Sequence, residues 1–127
     1  MLVKVAVGII LREGHVFLAF RNANQHQGGL WEFPGGKCEG SETPEVALAR
    51  ELKEECGITV NSSCHFKSVC HDYGDKQVEL CFYKVNGFSG EVIGKEGQET
   101  RWVPISALSQ YDFPEANKVI VSALLSS

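Results

Sequence analysis

The segment from Thr43 to Gly57 restricts the fold of this chain more than any other, because it carries both ends of a helix and two faces of opposite character. Thr43 can cap the start with its hydroxyl, Pro44 suits the first helical position, Glu45 favours the positive helix terminus, and Gly57 can close the end. These signals predict a helix over about 44–56. Its Leu48, Ala49, Leu52 and Cys56 form an apolar face that has to find a partner surface elsewhere in the chain. Residues three and four apart are neighbours on a helix, so Glu51, Glu54 and Glu55 share another face. Like charges at those spacings oppose a helix by roughly 0.2–0.5 kcal/mol per pair, so folding alone does not favour the cluster. A divalent cation would reverse that sign, and oxygen-only ligands suit a hard ion, Mg²⁺ or alternatively Mn²⁺. The competing reading is an ordinary solvated acidic face, compensated by Arg50 and Lys53.

A surface for the helix to pack on is legible on either side of it. Residues 3–11 are rich in β-branched side chains, and 16–20 resume the apolar pattern after Arg12-Glu13-Gly14-His15, which predicts a hairpin. Residues 21–41 read as loop, with a short extended piece at 30–33 stopped by Pro34-Gly35-Gly36. Further strands are expected at 64–73 and 77–85, around Gly74-Asp75, and at 101–105. Pro114-Glu115 opens a second helix to about 125, with Val119, Ile120, Ala123 and Leu124 as its buried stripe. Neither repeats nor a linker interrupt the pattern. The 127 residues, 43% of them apolar, are therefore expected to form one domain over 1–127, a mixed sheet with helices on its faces.

Charge and cysteine usage narrow the partners and the compartment. A net charge of -4 leaves no basic footprint for a nucleic-acid backbone, so no polymeric nucleic acid is expected as a partner. Anionic phosphates would have to be neutralised locally, by a metal or a few placed basic side chains. The five cysteines are odd in number and lack C-x-x-C or zinc-finger spacing, which reads as reduced thiols in a cytoplasmic protein. The four histidines show no ligand spacing. The apolar run at 5–11 is too short to span a membrane, and Arg12-Glu13-Gly14 stands where small cleavage-site residues should follow, so a buried strand explains it better. No membrane partner is expected, and the expected state is a monomer.

With its flanks, the helix reads Gly36, five residues, Glu42, seven residues, Arg50-Glu51-Leu52, one residue, Glu54-Glu55, one residue, Gly57-Ile58. This resembles the signature of the Nudix hydrolases at all nine fixed positions, an agreement that chance does not produce. The resemblance implies an α+β fold, an α/β/α sandwich, and metal-dependent hydrolysis of a nucleoside triphosphate. It implies metal ligands at Glu51, Glu54 and Glu55, with Glu51 also placed to act on the attacking water. Arg50 would pair within the helix to orient carboxylates, Glu42 would support the preceding loop, and Gly57 would end the helix. Gly35 and Gly36 would let the loop turn sharply and bring a backbone carbonyl to the metal, although a simple turn after Pro34 accounts for them equally well taken alone. In such a site the metal neutralises phosphate charge and lowers the pKa of bound water, while a carboxylate takes the proton.

The side group of the substrate is read outside that signature. Leu30-Trp31-Glu32-Phe33-Pro34-Gly35-Gly36-Lys37, Gly94-Lys95-Glu96-Gly97-Gln98 and Asp112-Phe113-Pro114-Glu115-Ala116-Asn117 together resemble the 8-oxo-dGTP diphosphatases of the family, and the similarity runs over nearly the whole chain. The resemblance implies base contacts from Arg21, Phe33 and Asn117, a further metal carboxylate at Glu96, and roles for Glu32 and Lys76 at the substrate and Lys37 in catalysis. Lys76 departs from the arginine the resemblance leads one to expect, and the two cations differ at stacked or bidentate sites. Asn117 also has a chemical argument. Oxidation at C8 puts a proton on N7, so the base edge presents a donor beside the O6 acceptor, which a side-chain amide complements and unmodified guanine does not. Bland readings stand beside these: Asn117 bonding its own helix start, Phe33 as core, Arg21 as a solvated charge. The 21–29 loop, with Gln25-His26-Gln27-Gly28-Gly29, and the stretch Leu30-Trp31-Glu32-Phe33 also resemble relatives that favour CTP and modified pyrimidines. The expected reaction is hydrolysis of 8-oxo-dGTP to the monophosphate and pyrophosphate, with a broader triphosphate pyrophosphohydrolase or a non-catalytic nucleotide-binding module as alternatives.

Overall fold

A computed structural model describes residues 2–21 and 28–126. The expected loop at 22–27, including Gln25-His26-Gln27, lies outside the described residues. Strands β1 (Leu2–Arg12) and β2 (His15–Phe20) form the expected hairpin around Glu13-Gly14. Two short strands follow, β3 (Trp31–Glu32) and β4 (Gly35–Lys37), then helix α1 (Pro44–Cys56). Strands β5 (Thr59–Asp72), β6 (Gln77–Ser89) and β7 (Thr100–Pro104) precede a 3₁₀ turn at Ile105–Gln110 and helix α2 (Glu115–Ser126). β1 is the hub: it runs parallel to β6 from Leu2 opposite Gln77 to Ile10 opposite Val85, antiparallel to β4, and hands over to β2 at its far end. β5 lies outside β6, and β2 carries β3 and β7.

Strand alternation divides the core into two layers. On one face Ala6 and Ile10 of β1 and Cys81, Tyr83 and Val85 of β6 meet Ala47, Leu48, Leu52 and Cys56 of α1. On the other, Val7 and Ile9 of β1, Leu18 of β2 and Phe82 of β6 meet Ile120, Val121 and Leu124 of α2. The result is the α+β arrangement, an α/β/α sandwich with one helix on each face. Among the described residues no helix is long and apolar enough to cross a membrane. All five cysteines are free thiols.

Several sequence expectations shift. Gly35–Lys37 is a strand on β1, because glycine at 35 lets the chain lie against the β1 backbone where a Cβ would overlap the Ala6 carbonyl oxygen. β5 begins at Thr59 and β6 runs to Ser89, past the expected ends, across register irregularities between Val60 and Ser63 and between His65 and Lys67. The polar Asn61-Ser62-Ser63 stretch has loop composition, and only its pairing with β6 makes it extended. In α1 Ala49 is exposed and Ala47 is buried, so the helix is rolled from the expected apolar face toward its Glu51 side. In α2 Val119 is 52% exposed and Val121 is buried in its place.

Candidate active site

Both ends of α1 are closed by the residues its sequence offered. The Val46 N–H donates to Thr43 Oγ1 at 3.3 Å, and Gly57 adopts φ 73°, directing its own N–H to the Lys53 carbonyl at 3.2 Å. The helix therefore stops where the chain must turn into β5, and its roll sets Glu51 and Glu55 against the Gly35–Lys37 strand. Gly36 is the close approach: a Cβ there would overlap the carboxyl group of Glu51.

Arg50 organises this end. Its Nε and Nη2 donate to the two carboxylate oxygens of Glu42 at 2.7 and 2.8 Å, its Nη1 donates to Glu51 Oε1 at 2.8 Å, and Nη2 also reaches the Lys37 carbonyl at 3.1 Å. One planar guanidinium thus ties the loop, β4 and the helix together, a fork that lysine cannot reproduce. The paired arginine and a backbone N–H from Glu39 hold the Glu42 carboxyl down to about 2, and the same bonds to Glu42 and Glu51 raise Arg50 further above its ordinary value. Glu55 moves the opposite way. Burial, a bond to the Glu51 carboxyl and the negative charges of Glu51, Glu96 and Glu32 push its carboxyl well above the usual carboxylate range.

A cleft of about 460 Å³ opens here, with Glu32, Glu51, Glu55 and Glu96 among its lining residues together with Gly35, Gly36, Lys37, Arg21, Phe33 and Asn117. Glu96 arrives on a loop hung from the end of α1, whose Glu55 and Cys56 carbonyls accept from the N–H groups of Lys95 at 2.9 Å and Ile93 at 3.1 Å. Glu54 does not line this cleft: its side chain is 59% exposed and pairs with Arg50 at 3.5 Å. Among the described residues, no three carboxylate, His or Cys side chains already stand together as an ion cage. Arg50 draws Glu51 and Glu54 toward itself, at 2.8 and 3.5 Å. The donor set still suits a hard cation, since it is all oxygen and gathers more carboxylate than neighbouring cations neutralise.

Also on the cleft wall, Arg21 Nη1 pairs with Glu32 Oε1 at 2.7 Å. Phe33 is only 4% exposed, stacked on Phe113 at 5.5 Å and edge-on to Phe82 at 6.1 Å, so it is at once core and cleft wall. Asn117 stands in the first turn of α2; its backbone N–H is spent on the Pro114 carbonyl at 2.9 Å, and no described residue bonds its side-chain amide. Lys76 lies apart from these, in an adjoining groove of about 500 Å³ shared with Val3, Val5, Arg21, Lys37, Tyr73 and Val78. Tyr73 lines both spaces and escaped the sequence reading, as did Val5, Val7 and Leu80. The β1 alternation that puts Val5 and Val7 on one face was the available signal; nothing local marks Tyr73. Burial and the charges of Glu55 and Glu96 push the Cys56 thiol up to about 12, which leaves it no nucleophilic part.

Residues 6–123 match the family profile described as NUDIX domain. An 8-oxo-dGTP diphosphatase of Escherichia coli (strain K12) is 41% identical over 122 residues, 95% of this chain and 95% of its own length. A CTP pyrophosphohydrolase of the same organism is 33% identical over 124 residues, 98% of this chain and 92% of its own. Among solved structures, a MutT from Aliivibrio salmonicida or Vibrio cholerae shares the fold with a TM-score of 0.86 at 36% identity, covering 98% of this chain and 97% of the other. The helix with its Arg50-centred carboxylates, the glycine strand beside it and these likenesses agree: the chain belongs to the Nudix hydrolase family.

Proposed function

We propose that this enzyme hydrolyses 8-oxo-dGTP to 8-oxo-dGMP and pyrophosphate, using Mg²⁺, and so removes an oxidised precursor from the nucleotide pool. The observation that carries the reading is one cleft lined both by Glu51, Glu55 and Glu96 and by Phe33 and Asn117, whose side-chain amide no described residue bonds. The strong likeness to a named 8-oxo-dGTP diphosphatase supports it.

Glu51, Glu55 and Glu96 would hold the metal with the Gly35 carbonyl, and Glu54 would join them by leaving Arg50. The bound metal supplies charge neutralisation at the phosphates and an acidified water. The protein's own groups do the rest. Glu51, oriented by Arg50, is placed to take the proton as the water oxygen bonds to phosphorus and the bridging P–O bond breaks. Gly36 leaves room for that carboxyl group, and Lys37 brings a cation to the phosphate side. Phe33 and Phe113 fix one wall, and Asn117 reads the N7 proton and O6 of the oxidised base. Arg21, held by Glu32, and Lys76 in the adjoining groove supply cations around the nucleotide. A bidentate contact of this kind discriminates by roughly 1–3 kcal/mol.

A second reading, hydrolysis of CTP, is favoured by the 33% identical pyrophosphohydrolase and by the Asn117 amide, which also matches the donor and acceptor of a cytosine edge. Comparing kcat/KM for 8-oxo-dGTP, dGTP, CTP and a dinucleotide separates the two. The proposal expects 8-oxo-dGTP to lead; equal values for dGTP, or CTP ahead of both, would overturn it. Binding without Mg²⁺-dependent release of pyrophosphate from any of them would instead make the chain a nucleotide-binding module.

A further inference from the structure

An aromatic zipper runs from the cleft wall at Phe33 outward to Trp31 and Tyr111. Trp31 and Phe33 are two residues apart, in β3 and just past its end, and Tyr111 and Phe113 are two apart in the irregular segment between the 3₁₀ turn and α2. Their rings pair in step, Trp31 with Tyr111 at 5.5 Å and 89°, Phe33 with Phe113 at 5.5 Å and 21°. Between the two pairs the Trp31 N–H donates to the Asp112 carbonyl at 2.8 Å, so residues 111–113 lie beside 31–33. The next residues, Pro114, Ala116 and Asn117, line the cleft.

The outer end of the zipper is clamped by a cation. The Arg101 guanidinium lies 5.0 Å from the Trp31 ring centroid and 5.9 Å from that of Tyr111. Its Nη1 donates to the Tyr111 hydroxyl at 3.4 Å and its Nη2 to Glu99 Oε2 at 3.1 Å. Phe20 closes the stack, edge-on to Trp31 at 5.0 Å. None of Phe20, Trp31, Arg101 and Tyr111 lines the cleft, so these groups do not touch a substrate there. A slip of this register would carry Asn117 with it, since only a short, helix-starting segment separates Asn117 from Phe113. A base-reading amide must be held to well under an ångström to discriminate one proton.

We propose that Tyr111 and Arg101 are positioning residues for base recognition: they fix Asn117 through the Trp31–Tyr111 and Phe33–Phe113 register and so set selectivity without contacting the nucleotide. The inference rests on the base-reading role of Asn117 proposed above, and its test separates the two. In the full chain, Tyr111→Ala, Tyr111→Phe and Arg101→Met are compared with wild type by two measurements. The first is ¹⁵N relaxation of the Asn117 side-chain amide in nucleotide-free protein. The second is the ratio of kcat/KM for 8-oxo-dGTP to that for dGTP, with kcat followed separately.

Tyr111→Ala is expected to make the amide mobile and to lower the ratio about tenfold, the loss of one bidentate contact, while kcat at saturating dGTP stays within about twofold. Tyr111→Phe keeps the ring and is expected to restore both to near wild type. Arg101→Met, at a half-exposed site, should fall between them. A folded Tyr111→Ala variant with a rigid Asn117 amide and an unchanged ratio overturns the proposal, as does a Tyr111→Phe variant as impaired as the alanine. Should Tyr111→Ala not fold, Arg101→Met decides by the same two readings. If wild type shows no preference for 8-oxo-dGTP, the substrate reading fails, and the amide relaxation still decides whether the zipper positions Asn117.

Discussion

Two groups of residues at and behind the cleft are built in different ways. In the carboxylate group, Glu42, Arg50, Glu51, Glu54 and Glu55 come from one stretch of fourteen consecutive positions, 42–55, and their geometry is set by a capped helix and one guanidinium. In the Asn117 group, Arg21, Glu32, Phe33 and Asn117 are drawn from separate segments and meet only because β2, β3 and the α2 start pack together. The first group inherits its precision from local hydrogen bonds, the second from ring packing over long sequence separations. Damage to the first should therefore strike turnover, and damage to the second should strike selectivity.

The largest effect is expected from Glu51→Gln, which keeps the shape of the side chain and removes its charge and basicity. Loss of kcat by about 10³-fold with the melting temperature nearly preserved is the expected outcome. Unchanged turnover would remove Glu51 from the chemistry and with it the contrast between the two groups. Next in size, Gly36→Ala should lower kcat by about 10²-fold, because the new Cβ occupies the space of the Glu51 carboxyl and displaces it. A crystal structure of that variant with Glu51 unmoved, or wild-type kinetics, would show the close approach to be without consequence.

Asn117→Ala tests the other group. It should lower the preference for 8-oxo-dGTP over dGTP by about tenfold and leave kcat for dGTP close to wild type, measured with both triphosphates under the same conditions. A fall in kcat for both substrates alike would mean that the two groups are not separable. The smallest effect concerns pH. The Glu42 carboxyl sits at about 2 when paired with Arg50, below its unfolded value, so its contribution to stability is fully present above the ordinary carboxylate range and lost as pH falls toward 2. Thermal melts between pH 6 and pH 2 should show Glu42→Gln losing less stability than wild type over that window; parallel curves would mean that the fork orients Glu51 without stabilising the fold.

Sequence and structure agree most closely where the deciding contacts are local. The helix at 44–56 with its Thr43 and Gly57 caps, and the hairpin around Glu13-Gly14, appear where their residues put them. Burial was less legible. Ala47 and Ala49 are the same residue type on adjacent flanks of one helix, and the roll that buries the first is set by the sheet beneath. Val119 and Val121 exchange places for the same reason. The glycine strand at 35–37 reads as a turn until β1 is beside it, and Asn61-Ser62-Ser63 reads as a loop until β6 is. Glu54 falls within the glutamate cluster by spacing, yet Arg50 holds it outside the cleft. Tyr73, Trp31 and Tyr111 carry no local mark of the places they take.

The sequence by itself determined the helix, its caps, its carboxylate spacing and the family signature around them. Each depends on residues within one or two helical turns, where the backbone geometry is already fixed by hydrogen bonding. Only the tertiary structure decided which way the helix rolls, which glutamates face the cleft, how the Glu96 loop hangs from the end of α1, and that Asn117 lines the same cleft. Those relations depend on packing between segments far apart in the chain, where the same side chains would fit several registers and the core as a whole selects one.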